Sequence, residues 1–239
     1  MCDLLIDGLE QLSVWRQAGV RMAALTWNYE NEIGVPNLTT DEAGTPRFDK
    51  RNSQGLTEFG IEMIQEMERL GMIVDVSHLS DGGFWDVLHH TTQPFVASHS
   101  DAASECNVCR NLTDDMIHAL ADRGGVMGLN YCYDFLTETD KPAALSADTS
   151  IFMDAKKQTK KISRMEDMVR HIKHIVNIGG IEVCGLGSDF DGINNSVEFG
   201  NASGIQQLYE ALVKSGFSED DADKIFYKNV LRVYQDVLK

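Results

Sequence analysis

Met72-Ile-Val-Asp-Val-Ser-His78 and Pro94-Phe-Val-Ala-Ser-His99 decide the fold of this chain. Each is a short apolar run that closes on a histidine, and each is followed by a helix-like segment. Runs of this length, rich in β-branched residues and set between turn residues and helices, read as buried strands. Side chains at the C-terminal ends of neighbouring parallel strands project into one crevice. His78 and His99 are therefore expected to face each other.

The same unit of helix, glycine and strand recurs on both sides. Residues 9–18 read as a helix stopped by Gly19, with a strand over 20–27. Residues 59–70 read as a helix with Thr57 as its cap and Gly71 as its stop. Residues 81–90 and 113–122 are helical, and Val126 opens a strand that runs to Tyr131. Residues 163–177 form a strongly amphipathic helix, and 181–188 make the last strand. Beyond Gly204 the pattern is helical to the end, with a helix start at Phe217-Ser-Glu-Asp. Such alternation predicts a parallel sheet with helices on its faces. Long segments after the strands, at 28–55 and 133–161, favour a TIM-type (β/α)8 barrel over a doubly wound sheet. Five strands are legible where a barrel needs eight. The chain opens almost directly on a helix, with only a stub at residues 4–6. The expectation is one incomplete barrel domain spanning residues 1–239, the C-terminal portion of such a fold.

Composition is that of a globular protein, with 43% hydrophobic and 24% charged residues. The formal charge of −16 repels phosphate backbones and anionic lipid, so neither nucleic acid nor membrane is an expected partner. Five scattered cysteines suggest no disulfide framework, which fits a reducing, cytoplasmic setting. No apolar run reaches membrane-spanning length.

Zinc accepts imidazole nitrogen, and a catalytic site takes three protein ligands and keeps an open position. His78 and His99 supply two. Asp189, in Gly185-Leu-Gly-Ser-Asp-Phe-Asp-Gly192, ends the last strand and should face the same crevice. A carboxylate there can take or give a proton beside an activated water. Asp191 is expected to point elsewhere. Arg110, in Cys109-Arg-Asn-Leu-Thr-Asp114, has the planar fork that grips a carboxylate, although a surface ion pair explains it equally well. Three features are discounted. Cys106-Asn-Val-Cys109 lacks a second pair, His171 and His174 read as solvated helix residues, and the glycines near Gly185 lack a phosphate-loop ending.

These stretches, together with Leu25-Thr-Trp-Asn28 and the closing helices over residues 211–234, resemble the membrane (renal) dipeptidase family of zinc metallopeptidases. The resemblance runs in order over essentially the whole chain. It implies a (β/α)8 barrel with two zinc ions and hydrolysis of dipeptides by a metal-activated water. His78 and His99 would bind the second zinc, Arg110 would hold the substrate carboxylate, and Asp189 would handle the proton. The family's first zinc takes a His-x-Asp pair at the end of strand one and a bridging Glu at the end of strand three. This reading finds no such pair, and the Glu would fall just upstream of Met1. Asp3 and Asp7, in or just before the first helix, are not read as replacements. Trp27 stands where some members carry a histidine.

The leading expectation is a zinc dipeptidase of this type, with one weakly bound zinc or none in the chain as given. The alternative is a catalytically inactive barrel remnant that binds peptides or assembles as a homo-oligomer. A third reading is another metal-dependent amide hydrolase with an altered ligand set.

Overall fold

The computed structural model describes residues 8–40, 46–47, 50–138, 161–193 and 195–238. The stub at 4–6, Asp3, Asp7 and most of the segment after Tyr133 lie outside these residues. Five parallel strands pair in chain order: β1 (Met22–Ala24), β2 (Ile73–Asp75), β3 (Val96–Ala97), β4 (Val126–Leu129) and β5 (Cys184–Leu186). Their registers, such as Asp75 with Val96 and Val96 with Val126, keep the strand ends level. The sheet does not close among the described residues, so β1 and β5 are its edges. The five strands match those read from the sequence, though each is shorter.

Helices follow the expected places. They are α1 (Glu10–Gln17), α2 (Glu58–Arg69), α3 (Asp81–His90), α4 (Asp114–Asp122), α5 (Met165–Gly179), α6 (Gln206–Lys214), α7 (Glu219–Asp223) and α8 (Asn229–Val237). Their starts are set by side-chain oxygens that accept an otherwise orphaned N–H. Thr57 accepts from Gly60, Ser80 from Gly83 and Thr113 from Met116, and Ser218 completes a capping box with Asp221. One boundary differs from the periodicity. Ser163, read as the first residue of α5, instead joins Ile162 in a short strand that pairs with Ser196–Val197.

Alternation along the strands gives the sheet two faces. Val74, Ala97, Met127 and Cys184 join Met63, Phe84, Ile117 and Ile172 from α2, α3, α4 and α5 in the main core. The opposite face is divided. At its foot, Ile73, Val96 and Val126 pack against Val233 and Val237 of α8. Arg232 fastens α8 there, donating to the carbonyls of Gly124 and Glu182. At its mouth, Asp75 and the residues just past the strand ends, Ser77, Ser98 and Asn130, gather around the end of β3. Gly128 and Gly187 allow the strand ends to close in, because a Cβ on either would lie 2.2 or 1.9 Å from the carbonyl oxygen of Ser98.

Candidate active site at the strand ends

His78 and His99 meet as the two runs predict. Their Nε2 atoms lie 2.9 Å apart, with ring centroids at 4.9 Å. His78 follows β2 in a left-handed conformation, φ 71°, and Asp189 follows β5 at φ 56°. Together with Asp191 these are the positive-φ residues other than glycine among those described. Such conformations cost roughly 1–3 kcal/mol each, and here two of the three aim candidate site residues. Backbone contacts hold the His78 turn: its carbonyl accepts from Asn37 at 2.7 Å, and Leu79 N–H donates to Val76.

Each imidazole has a partner behind it. His78 Nδ1 lies 3.0 Å from Asn28 Oδ1, and His99 Nδ1 lies 2.7 Å from Ser98 Oγ. Burial first, and the Arg110 charge next, hold both rings well toward the neutral form. Neutral imidazoles are the form a metal takes. Two Nε2 ligands on one tetrahedral zinc at about 2.0–2.1 Å would stand roughly 3.3 Å apart, close to the separation seen. The donor set is half of a site, however. Among the described residues no group of three His, Cys, Asp or Glu side chains is placed to hold an ion.

Asp189 and Arg110 converge on the same region. Asp189 Oδ2 accepts from Asn130 Nδ2 at 3.1 Å. Arg110 is buried, at 4% exposure, which excludes the surface ion pair. Its Nη2 donates to the His99 carbonyl at 3.3 Å, its guanidinium lies 5.3 Å from the Phe135 ring centre, and its Nε has no hydrogen-bond partner. A buried cation with an unsatisfied donor is poised for an anionic group. Burial lowers its pKa, and the Asp189 charge is the largest influence opposing that.

Several contributors were not legible. Asp75 lies inside an apolar run, yet it accepts from the N–H groups of Ser77 and Ser98 and from Ser98 Oγ at 2.5 Å. A charged residue inside a buried strand was the available signal. Asn130 donates its N–H to Asp101 while holding Asp189. The chain does contain one His-x-Asp spacing, His99-Ser100-Asp101, contrary to the reading above. Asp101 is fully buried, burial pushes its carboxyl well above the usual range, and it does not complete a metal group with the histidines.

His171 is also corrected. It is fully buried, accepting from Ala102 N–H and bonding the Leu136 carbonyl, which anchors the loop after His99. Its neighbour His174, 19% exposed, bonds Asp114. Cys106, Cys109 and Cys132 are free thiols buried in one apolar cluster and pushed up to about 12 by burial, so the Cys-x-x-Cys pair is no thiolate site. Asp191 is exposed. Among the described residues no helix is long and apolar enough to cross a membrane.

Residues 2–239 match the family described as membrane dipeptidase, peptidase family M19. A Klebsiella pneumoniae protein named for the pqqA 5′ region is 36% identical over 226 residues, covering 95% of this chain and 75% of that one. A Schizosaccharomyces pombe protein named as an uncharacterized dipeptidase is 33% identical over 239 residues. That match covers 96% of this chain, which spans only 51% of the yeast protein. A Rhodobacter sphaeroides metallopeptidase, solved with a phosphinate mimic of the dipeptide L-Ala-D-Ala, superposes with a TM-score of 0.79 at 26% identity. The superposition covers 95% of this chain and 59% of that one.

Proposed function

This chain belongs to the membrane dipeptidase family, and we propose that its strand-end site serves zinc-dependent hydrolysis of dipeptides. One observation carries the reading: two imidazoles held toward the neutral form bring their Nε2 atoms to 2.9 Å, with a carboxylate and a buried guanidinium nearby. His78 and His99 would hold the metal. A zinc ion bound there would activate a water at neutral pH. Arg110 grips the substrate's terminal carboxylate through its guanidinium, whose Nε has no partner in the protein. Asp189, oriented by Asn130, accepts a proton from the attacking water and returns one to the leaving amine. The phosphinate dipeptide mimic bound by the Rhodobacter enzyme supports this substrate class, since a tetrahedral phosphinate imitates the adduct of water with a peptide bond. Residues 1–239 act as one barrel-type domain in this proposal.

The test is turnover of L-Ala-D-Ala and other dipeptides with and without chelator. Chelator-sensitive hydrolysis that is lost in His99→Ala is expected. Full activity in that variant overturns the assignment. Among the described residues the sheet edges stay open and two ligands make up the donor set, which favours one second reading, a metal-poor barrel remnant that binds peptides or assembles with copies of itself. It requires less than one tightly bound zinc per chain and no turnover. Two zinc ions in the purified protein rule it out.

A further inference from the structure

Two imidazoles whose Nε2 atoms face each other at 2.9 Å either share a proton or both present lone pairs. The atoms behind each ring decide which. The Ser98 hydroxyl has a single hydrogen. Asp75 Oδ2 lies 2.5 Å away and, as a carboxylate oxygen, takes that hydrogen. Ser98 Oγ therefore turns a lone pair to His99 Nδ1 at 2.7 Å, so that the ring hydrogen sits on Nδ1. On the other ring, Asn28 Oδ1 can only accept, so His78 Nδ1 also carries the hydrogen. Both Nε2 lone pairs then point at the same place. That arrangement is repulsive unless a cation lies between them.

The relay also fixes position. Asp75 Oδ1 accepts from the N–H groups of Ser77 and Ser98, and His99 N–H donates to Ser77 Oγ at 3.0 Å. The end of β3 is thereby clamped to the end of β2, which sets the distance between imidazoles carried by two different strands.

We propose that Asp75 and Ser98 are positioning residues that lock His99 in its Nδ1–H tautomer and, with Asn28 doing the same for His78, prepare the pair for a divalent cation. The inference rests on the metal reading above for its purpose. The tautomer itself does not depend on that reading, so the two can fail separately.

The isosteric change Asp75→Asn is the sharpest test. The new amide donates to Ser98 Oγ, Ser98 then donates to His99 Nδ1, and the ring hydrogen moves to Nε2. Nitrogen-15 NMR of the metal-free protein reads the tautomer directly. Wild type is expected to show Nδ1–H at His99, and Asp75→Asn to show Nε2–H. Zinc affinity, measured against a chromophoric chelator, is expected to fall about 10- to 100-fold in Asp75→Asn and Ser98→Ala. Ser98→Thr, which keeps the hydroxyl, is expected to restore both readouts. An unchanged His99 tautomer in folded Asp75→Asn or Ser98→Ala overturns the proposal. Failure of wild type to bind zinc counts against the metal reading, and the tautomer measurement still decides this one.

Discussion

The foot and the mouth of the inner sheet face lie two residues apart on the same strands and obey opposite rules. Ile73 and Val126 at the foot are apolar, regular in backbone and sealed by Val233 and Val237. Asp75, Ser98 and Asn130, two or four residues on, are polar and bonded to one another or to the candidate site residues. Left-handed His78 and Asp189 stand beside them. The foot contributes stability through buried area, about 1.5–3 kcal/mol for each large apolar side chain. The mouth spends part of that stability on strain and on desolvated polar groups. A single sheet face can do both because residues two apart on a strand stand about 6.6 Å apart, which keeps the foot sealed by α8 and the polar mouth in different layers.

This contrast breaks if mouth variants unfold the chain or foot variants silence the site. The largest effect is expected from His99→Ala. Zinc binding and dipeptide hydrolysis should drop to background, while the urea midpoint stays near that of wild type. Ile73→Ala at the foot should do the reverse, costing about 2–5 kcal/mol in urea unfolding. Zinc affinity of the folded fraction should be unchanged.

A pH series sharpens the same division. His171, outside the mouth, is pushed down to about 4 by burial. Its unfolded value is near 6.5, so below that pH the unfolded chain takes up a proton that the folded chain refuses. Stability is complete above about pH 6.5 and should be lost progressively toward pH 4. The loss should approach about 3 kcal/mol relative to His171→Gln, read by denaturant titrations at each pH. A flat difference between the two would contradict the buried, neutral ring.

Smaller effects follow. Arg110→Lys keeps the charge but loses the fork, and should raise the dipeptide KM roughly 10- to 100-fold with zinc affinity unchanged. Asp191→Gly relieves an exposed left-handed residue. It should raise stability by up to about 1 kcal/mol with no change in turnover.

The foot and the helix frame were readable because they rest on periodicity and caps. Thr57 and Thr113 announce their helices, and five strands were counted from apolar runs alone. The paired histidines were readable for the same reason, since strand ends at parallel neighbours must converge. The support behind them was not. Asp75 and Ser98 belong to different strands, and only register brings a carboxylate of one to a hydroxyl of the other. Asn28 and Asn130 are more distant still. His171 was misread because Arg170 and Lys173 flank it. Its spacing with Met168, Ile172 and Ile175 places it on the buried face of α5 and was the better guide.

The central claim is that residues 78 and 99 hold one divalent ion between their Nε2 atoms. Anomalous diffraction from zinc-soaked crystals at the zinc edge tests it most directly. The account predicts a single peak about 2.0–2.1 Å from both nitrogens, absent in His99→Ala crystals. A zinc peak elsewhere, or two imidazoles still paired at 2.9 Å in saturating zinc, would contradict it.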